Sequence, residues 1–430
     1  MIALLNFQNP LFPVNKTIYL ILILLTGFTI CSCTNTDTTT STSLSAGRWR
    51  GIVSLPEQQL PFNFDVEKDS QGNYRLYLIN AGERLELDSV LIKGDSVYIP
   101  MHIFDAQLAG KFTNTTIEGA WIKNYADNYQ IPFKAIHDQN FRFESSNKTL
   151  IANITGKYAI RFADRPDSLL SIGIFEQQQT KLTGTVLTRT GDYRYLEGIV
   201  EGNEMKLSAF DGEHAYLLTA TIQGDSLVNG MFWSGKAKGR QWSAIKDPGA
   251  ALPDPNSLTY LKEGYNKIEF NFPGSESGMI SLKDPKYQDK VVILQLFGTW
   301  CPNCMDETRF LAPWYDKNKD RGVEIIGLAY EKKPELDYAR KRVQQMKKKL
   351  NVGYEFAIAG TSDTESASKS LPMLNQVMSF PTTIFIDKTG TVRKIHTGFS
   401  GPGTGHYYNE FVEEFDLFVD KLLDEGKNSQ

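Results

Sequence analysis

The stretch that decides the fold of the C-terminal half is VVILQLFGTWCPNC, residues 291–304, in which a mainly apolar run leads into two cysteines separated by two residues. The run Val291–Phe297 predicts a buried strand. Pro302 favours a helix that begins there, because the first helical turn leaves its N–H groups unpaired and proline has none. Cys301 would then cap the helix, and the positive end of the helix dipole would lower the pKa of its thiol.

Cys304 falls one turn further along this helix, where its sulfur can reach that of Cys301 but is shielded from solvent. This position suits the thiol that resolves a mixed disulfide rather than the thiol that attacks a substrate. Trp300 precedes the pair and would cover the site. We therefore expect a redox pair in which the Cys301 thiolate attacks, Cys304 resolves, and no cofactor is needed.

Other uses of the two cysteines compete with this interpretation. Zinc wants four ligands, and none of the 5 histidines pairs at a ligand spacing. Copper bound by both thiolates and His396 is harder to exclude and stays open. A structural disulfide that spans two residues would close a very small loop and would restrain little of the unfolded chain.

Beyond residue 267 predicted strands and helices alternate, which indicates an α/β sheet with helices on both faces. Chemistry in such folds lies where the carboxyl end of a strand meets a helix, and the two cysteines stand at such a point. The predicted elements after the first strand are a strand at 323–330, a charged helix at 334–350, a strand at 354–359, an amphipathic stretch at 365–377, strands at 382–387 and 392–398, and a helix at 407–423.

The N-terminal half has a different sequence pattern. Residues 47–247 contain short alternating strands with turn signals every 8 to 12 residues, which predicts antiparallel β meanders. Gly47-Arg48-Trp49 recurs as Gly156-Lys157-Tyr158, 109 residues later, and other pairs recur at nearly the same offset. We predict a duplicated all-β region, residues 47–150 and 151–247, in which each copy forms a barrel or a sandwich. It carries no catalytic pattern and is interpreted as a scaffold or recognition module.

A proline-containing segment, residues 248–266, is predicted to link this region to the α/β domain, residues 267–430. The chain has 430 residues, which favours several domains. Its net charge of -4 is spread along the sequence and gives no reason to expect nucleic acid as a partner.

The N-terminus carries an apolar run, Ile18–Ile30, that is too short for a membrane span and is typical of a signal peptide. Cys33, with a small residue before it, resembles the lipidated cysteine of a bacterial lipobox. We expect residues 1–32 to be a signal peptide and residues 33–46 to be a polar tether. The mature protein would then be lipid-anchored in the cell envelope, facing the periplasm, where disulfides are permitted.

Three blocks together resemble a known family. WCPNC at 300–304, SFPTTIFID at 379–387 and HTGFSGPGTG at 396–405 resemble the TlpA/ResA-like thiol–disulfide oxidoreductases of thioredoxin fold, most closely lipoprotein members from Bacteroidetes-type bacteria. The resemblance covers about residues 268–423 and implies a central mixed sheet flanked by helices. It also implies a cis Pro381 beside the sulfurs, although sequence statistics alone favour trans. The backbone of Phe380 would then be free to pair with an extended substrate peptide.

The resemblance also assigns a role to Glu307. It matches the acidic residue that ResA-like proteins place near the resolving cysteine, and on a helix it shares the face of Cys304, so it could take or give the thiol proton. Without the resemblance, a solvated surface carboxylate would be the preferred interpretation. Thioredoxin itself has a buried aspartate where this chain has Gln295, which cannot accept a proton.

The sequence therefore predicts an exported, membrane-anchored thiol–disulfide oxidoreductase that reduces disulfides in cell-envelope proteins. The resemblance implies protein thiol substrates, among them those of cytochrome c biogenesis, and a membrane electron donor of the DsbD/CcdA type. The alternatives are a copper metallochaperone, a peroxiredoxin-like peroxidase, and a ligand-binding β module with a redox-sensing domain. The direction of electron flow cannot be predicted, because the potential of a CxxC pair varies widely with its surroundings.

Overall fold

The computed structural model describes residues 43–87, 90–146, 149, 152–166 and 170–425. The predicted signal peptide at 1–32, the lipidation site Cys33 and most of the tether at 33–46 lie outside the described residues. Within the described residues, no helix is long and apolar enough to cross a lipid bilayer.

The first β copy forms one open antiparallel sheet of nine strands. Buried and partly exposed residues alternate along strands with one buried face, as in Tyr74–Asn80, where Leu76 and Leu78 are buried. The sheet order is β4-β3-β2-β1-β9-β8-β7-β6-β5. The strands are β1 Gly47–Leu55, β2 Gln58–Lys68, β3 Tyr74–Asn80, β4 Glu83–Glu86, β5 Leu91–Lys93, β6 Ser96–Pro100, β7 Ala106–Phe112, β8 Thr116–Lys123 and β9 Gln130–His137.

The second β copy repeats this order and closes on itself. Its order is β11-β10-β18-β17-β16-β15-β14-β12-β13, and a further pairing of β11 with β12 completes an eight-stranded barrel. Closure removes the unpaired sheet edges. The strands are β10 Gly156–Phe162, β11 Ser171–Gln178, β12 Lys181–Thr188, β13 Gly191–Asp192, β14 Leu196–Glu201, β15 Glu204–Phe210, β16 Ala215–Gln223, β17 Ser226–Ser234 and β18 Arg240–Lys246.

The end of the β15 hairpin in the barrel packs against the open sheet. The ring of Phe210 lies 4.4 Å from that of Phe62 and 5.2 Å from that of Trp121, measured between centroids. Asn80 donates a hydrogen bond to the carbonyl of Phe210, and Trp121 donates one to the carbonyl of Gly212, each at 2.9 Å. The buried face of the open sheet is thus covered in part by the barrel.

The C-terminal region contains a five-stranded mixed sheet of order β23-β22-β21-β24-β25. Strands β21, β22 and β23 are parallel, while β24 and β25 run antiparallel to their neighbours. Two short strands, β19 Phe272–Pro273 and β20 Met279–Ile280, precede it. The sheet and its helices are β21 Val291–Phe297, α1 Pro302–Asn318, β22 Val323–Glu331, α2 Leu336–Lys349, β23 Glu355–Thr361, α3 Thr364–Ser370, β24 Thr382–Ile386, β25 Val392–Thr397 and α4 His406–Asp424.

Helix α2 packs through a narrow apolar stripe. In α2 the buried residues are Ala339, Val343 and Met346, at a spacing of four and three. Of the basic residues between them, Lys341 is exposed, while Arg340 and Arg342 are half-buried and donate hydrogen bonds to the carbonyls of Gly274 and Ile103. The amphipathic stretch predicted at 365–377 is helical only as far as Ser370. Pro372 disfavours a helical conformation for the residue before it, so the helix ends there.

The predicted fold class is confirmed. A thioredoxin-like α/β domain with a mixed sheet and flanking helices follows an all-β region of two antiparallel meanders, one open and one closed into a barrel. The cysteine pair lies at the carboxyl end of β21, the central strand of the mixed sheet.

Candidate active site

The turn from β21 into α1 places the two cysteines. All seven side chains of β21 are buried, so the end of the strand is fixed in the core. Cys301 is the N-cap of α1, its sulfur accepts a hydrogen bond from the backbone N–H of Cys304 at 3.2 Å, and Pro302 takes the first helical position. Cys301 and Cys304 form a disulfide. The helix start is the one that the sequence predicts.

The two cysteines differ in exposure. Cys301 is 5% exposed and Cys304 is completely buried. In the reduced protein only Cys301 would meet a substrate, while Cys304 could meet only its neighbour. This difference is the one that the predicted roles of attacking and resolving thiol require.

The residues predicted to bind substrate surround the Cys301 sulfur. The Phe380–Pro381 peptide bond is cis, and the carbonyl oxygen of Phe380 lies 3.6 Å from Cys301 Sγ. The Trp300 indole meets the Phe380 ring edge to face at 5.9 Å and donates a hydrogen bond to the carbonyl of Tyr330 at 2.8 Å. The structure therefore brings Trp300, Phe380 and Pro381 together beside the disulfide.

Glu307 is a buried carboxyl group, not a solvated surface residue. Its two oxygens accept hydrogen bonds from Thr383 Oγ1 at 2.6 Å and from Gln295 Nε2 at 2.8 Å. Burial raises the pKa of Glu307 to about 7, although both hydrogen bonds oppose the rise. A carboxyl group that titrates near neutral pH, one helical turn beyond Cys304, can exchange a proton under working conditions.

A second buried carboxylate was not predicted from the sequence. Glu331, at the end of β22, accepts hydrogen bonds from the backbone N–H of Thr299 at 2.9 Å and from its hydroxyl at 2.8 Å. Burial raises the pKa of Glu331, and the bonds from Thr299 lower it. Glu331 thus fixes the loop that precedes Trp300. The sequence feature that could have pointed to Glu331 is its position as a charged residue at the carboxyl end of an apolar parallel strand.

The barrel also reaches the active-site turn, which the sequence did not indicate. Asp192 accepts a hydrogen bond from the Asn303 side chain at 3.2 Å, and Arg194 contacts Asp306 through two hydrogen bonds of 2.7 and 3.0 Å. More than a hundred residues separate these partners in the sequence. No local pattern could have revealed the contacts.

His396, the third ligand of the copper alternative, lies in β25 with its Nδ1 3.1 Å from the side-chain oxygen of Asn256. Burial lowers the pKa of His396 to about 4. Across the described ranges, no group of three or more His, Cys, Asp or Glu side chains is arranged to hold a metal ion.

Sequence comparison places the α/β domain among known proteins. The AhpC/TSA family profile matches residues 264–395. The thiol–disulfide oxidoreductase ResA of Halalkalibacterium halodurans is 28% identical over 139 residues, which are 32% of this chain and 69% of that protein. ResA of Bacillus anthracis is 32% identical over 139 residues, 32% of this chain and 70% of that protein. The match thus spans about two thirds of the length of these relatives.

Two solved structures are similar to part of the chain. A thiol–disulfide oxidoreductase from Bacteroides fragilis has 17% identity and a TM-score of 0.26, with 34% of this chain and 99% of that chain covered. A DsbF homologue from Corynebacterium diphtheriae has 21% identity and a TM-score of 0.29, with 39% of this chain and 98% of that chain covered.

A thioredoxin-like sheet with a CxxC disulfide at a helix start and a cis proline beside it defines a thiol–disulfide oxidoreductase. The chain belongs to the TlpA/ResA-like family of these enzymes. The predicted family and enzyme class are thereby confirmed.

Proposed function

We propose that the protein is a membrane-anchored reductase of protein disulfides in the cell envelope. One observation carries the proposal: the sulfur of Cys301, a residue that is 5% exposed, lies beside the Phe380 carbonyl, while its partner Cys304 is completely buried. A peptide that pairs with the backbone beside Pro381 would present its own sulfur to Cys301 and to no other thiol of the active site.

The reaction is two thiol–disulfide exchanges. The Cys301 thiolate attacks one sulfur of a substrate disulfide, which forms a mixed disulfide and releases the first substrate thiolate. Cys304 then attacks Cys301 Sγ, which forms the Cys301–Cys304 disulfide and releases the second substrate thiolate. Two electrons and two protons pass from the enzyme to the substrate in total.

Residues around the pair support particular steps. The N–H of Cys304 and the helix start stabilise the Cys301 thiolate. Cys304 must lose a proton before it attacks, and Glu307 is the neighbouring group that can take it. Trp300 and Phe380 shield the mixed disulfide from water, so that resolution by Cys304 competes well against outside thiols.

We further propose that a membrane electron donor of the DsbD/CcdA type returns two electrons to the disulfide, and that Cys33 carries the lipid anchor. The family resemblance and the lipobox-like sequence support these proposals. Mass spectrometry of the mature N-terminus tests the anchor: a lipid-modified Cys33 is expected, and Cys33→Ala should release the protein from membranes. An unmodified Cys33 in membrane-bound protein would contradict it.

The activity is tested by reduction of insulin disulfides with the full chain in detergent and a dithiol as electron source. Wild type should reduce insulin, and Cys301→Ser should be inactive. Hydrogen peroxide consumption and bound copper, measured on the same sample, address the peroxidase and copper-chaperone alternatives. Full activity in both the Cys301→Ser and Cys304→Ser variants would refute the proposal, as would stoichiometric copper without reductase activity.

A further inference from the structure

A loop of the barrel supplies a carboxylate to the active-site turn. One oxygen of Asp192, at the end of β13, accepts hydrogen bonds from Asn303 Nδ2 at 3.2 Å and from the backbone N–H of Gly401 at 2.8 Å. The other oxygen accepts from the backbone N–H of Arg194 at 2.5 Å. The residue is only 6% exposed. Asp192 is therefore held in one place and touches the dipeptide between the cysteines.

The charge of this carboxylate has no direct counter-ion. In the described part of the chain Asp192 makes no ion pair, and the nearby Arg194 guanidinium contacts three other carboxylates, those of Glu83, Asp211 and Asp306. Burial raises the pKa of Asp192 to about 6, while the hydrogen bonds from Gly401 and Arg194 hold it down. The group is thus mostly ionised at neutral pH.

The Asp192 carboxylate and the Cys301 thiolate both lie at the positive N-terminal end of helix α1. Asn303 is the second residue of α1, so the carboxylate lies at the first helical turn, whose N–H groups also stabilise the thiolate. A negative charge at this turn repels the Cys301 thiolate of the reduced enzyme. In the oxidised enzyme the disulfide is uncharged, so there is no such repulsion. It therefore disfavours the reduced form relative to the oxidised form.

We propose that Asp192 is a positioning residue that lowers the reduction potential of the Cys301–Cys304 pair and so makes the enzyme a stronger reductant. The β region thereby takes part in the redox chemistry, beyond supporting the domain. The inference deepens the proposed function, since a low potential is what a reductase needs. It requires only that the two cysteines form a reversible disulfide.

The test is the equilibrium of the full chain with reduced and oxidised glutathione at neutral pH. In Asp192→Asn the equilibrium constant for reduction of the protein disulfide should rise about tenfold, a potential about 30 mV more positive. The pKa of the Cys301 thiol, followed by its rate of alkylation, should fall in the same variant. Asp192→Glu keeps the charge and should remain close to wild type.

Glu83→Gln is the matched control. Its carboxylate also contacts Arg194 but belongs to the open sheet, so loss of its charge perturbs the interface without touching Asn303. The glutathione equilibrium should not change in Glu83→Gln. The proposal would be overturned if the equilibrium constant for reduction of the disulfide were unchanged or lower in Asp192→Asn. It would also be overturned if Asp192→Asn and Asp192→Glu changed this constant equally.

A measurement on the wild type does not depend on how well a variant folds. Because coupling is reciprocal, reduction of the disulfide should raise the pKa of Asp192, which carbon NMR of labelled aspartate can follow. The charged groups that face Asp192 are Asp306 and Arg194. An identical Asp192 pKa in both redox states would overturn the proposal. Neither the glutathione equilibrium nor the NMR titration uses a protein substrate. Both can therefore be interpreted even if the protein does not reduce insulin.

Discussion

Arg194 of the barrel and Asp306 of helix α1 form a two-point ion pair in which each side chain is only 5% exposed. Asp306 lies two residues after Cys304. Burial alone would lower the pKa of Arg194, but the carboxylates of Asp306 and Glu83 raise it well above its usual value. The β region is therefore fixed to the same helix that carries the redox pair.

Removal of Arg194 should destabilise the whole chain. Arg194→Met removes the two-point partner of the buried Asp306 carboxylate and leaves it only a 3.6 Å ion pair with the partly exposed Arg309. Loss of one partner costs about 3–5 kcal/mol in comparable buried pairs. Urea unfolding followed by circular dichroism measures the change. Arg240→Met is the control, because its pair with Asp164 lies at the surface and should contribute little. Equal stability of the two variants would contradict the importance of the buried pair.

Glu307 should make stability depend on pH. Its pKa is raised from 4.5 to about 7, so the folded protein keeps a proton that the unfolded chain gives up between these values. The free energy of unfolding should therefore fall as the pH rises from about 4.5 to 7, by about 3 kcal/mol from this group. Glu307→Gln cannot titrate and should lose this component.

The measurement is the difference in unfolding free energy between Glu307→Gln and wild type across this pH range. As the pH rises, the unfolding free energy of wild type should fall relative to that of Glu307→Gln. A difference that stays constant would show that Glu307 does not titrate there. The pH profile of insulin reduction should also lose an inflection near neutrality in the variant, if the carboxyl group accepts the Cys304 proton.

Cys304→Ser should trap the enzyme on its substrate. Cys301 would still attack, but the active site would have no second thiol to resolve the mixed disulfide, so a covalent adduct with insulin should accumulate. Mass spectrometry under non-reducing conditions would detect it. Cys301→Ser should form no adduct, because Cys304 is completely buried. A prominent adduct through Cys304 would contradict the assignment of attacking and resolving thiols.

Gly398 marks a close approach of the barrel to the loop before α4. Its φ is +85°, and a Cβ built there would lie 2.9 Å from the carbonyl carbon of Thr190. Gly390 has a similar φ of +79°, but its Cβ would meet only the flexible end of Lys267. Gly390→Ala should cost about 1–2 kcal/mol from backbone strain. Gly398→Ala should cost about 1–3 kcal/mol more, because the backbones must separate.

Thermal or urea unfolding of the two alanine variants gives this comparison directly. Gly398→Ala should also shift the glutathione equilibrium, since it displaces the loop that carries Asp192, while Gly390→Ala should leave the equilibrium unchanged. Equal stability losses in both variants would show that the approach of Thr190 is not tight.

Local patterns were enough to predict the elements that build the redox pair. The apolar run before Cys301 and the proline after it define a buried strand followed by a helix, and the structure has both. Periodicity also predicted the final helix to within a residue or two. The burial of Glu307 could be anticipated only through the family resemblance, because its partners Gln295 and Thr383 belong to two different strands.

Contacts between distant segments could not be predicted in this way. Neither Asp192 nor Arg194 stands in a pattern that points to the active site, and their position depends on how the barrel packs against the α/β domain. The sequence repeat indicated two similar copies, but it did not indicate that only the second would pair β12 with β14 and close. Closure depends on strand curvature, which single-residue propensities do not encode.

Phe210 of the second β copy packs into the core of the first copy. Because this ring from the second copy fills space between Phe62 and Trp121 of the first, the barrel supplies part of the core of the open sheet. A chain shortened to either copy would present large aromatic surfaces to water and would tend to aggregate. Loss of the second copy would therefore also remove part of the core of the first.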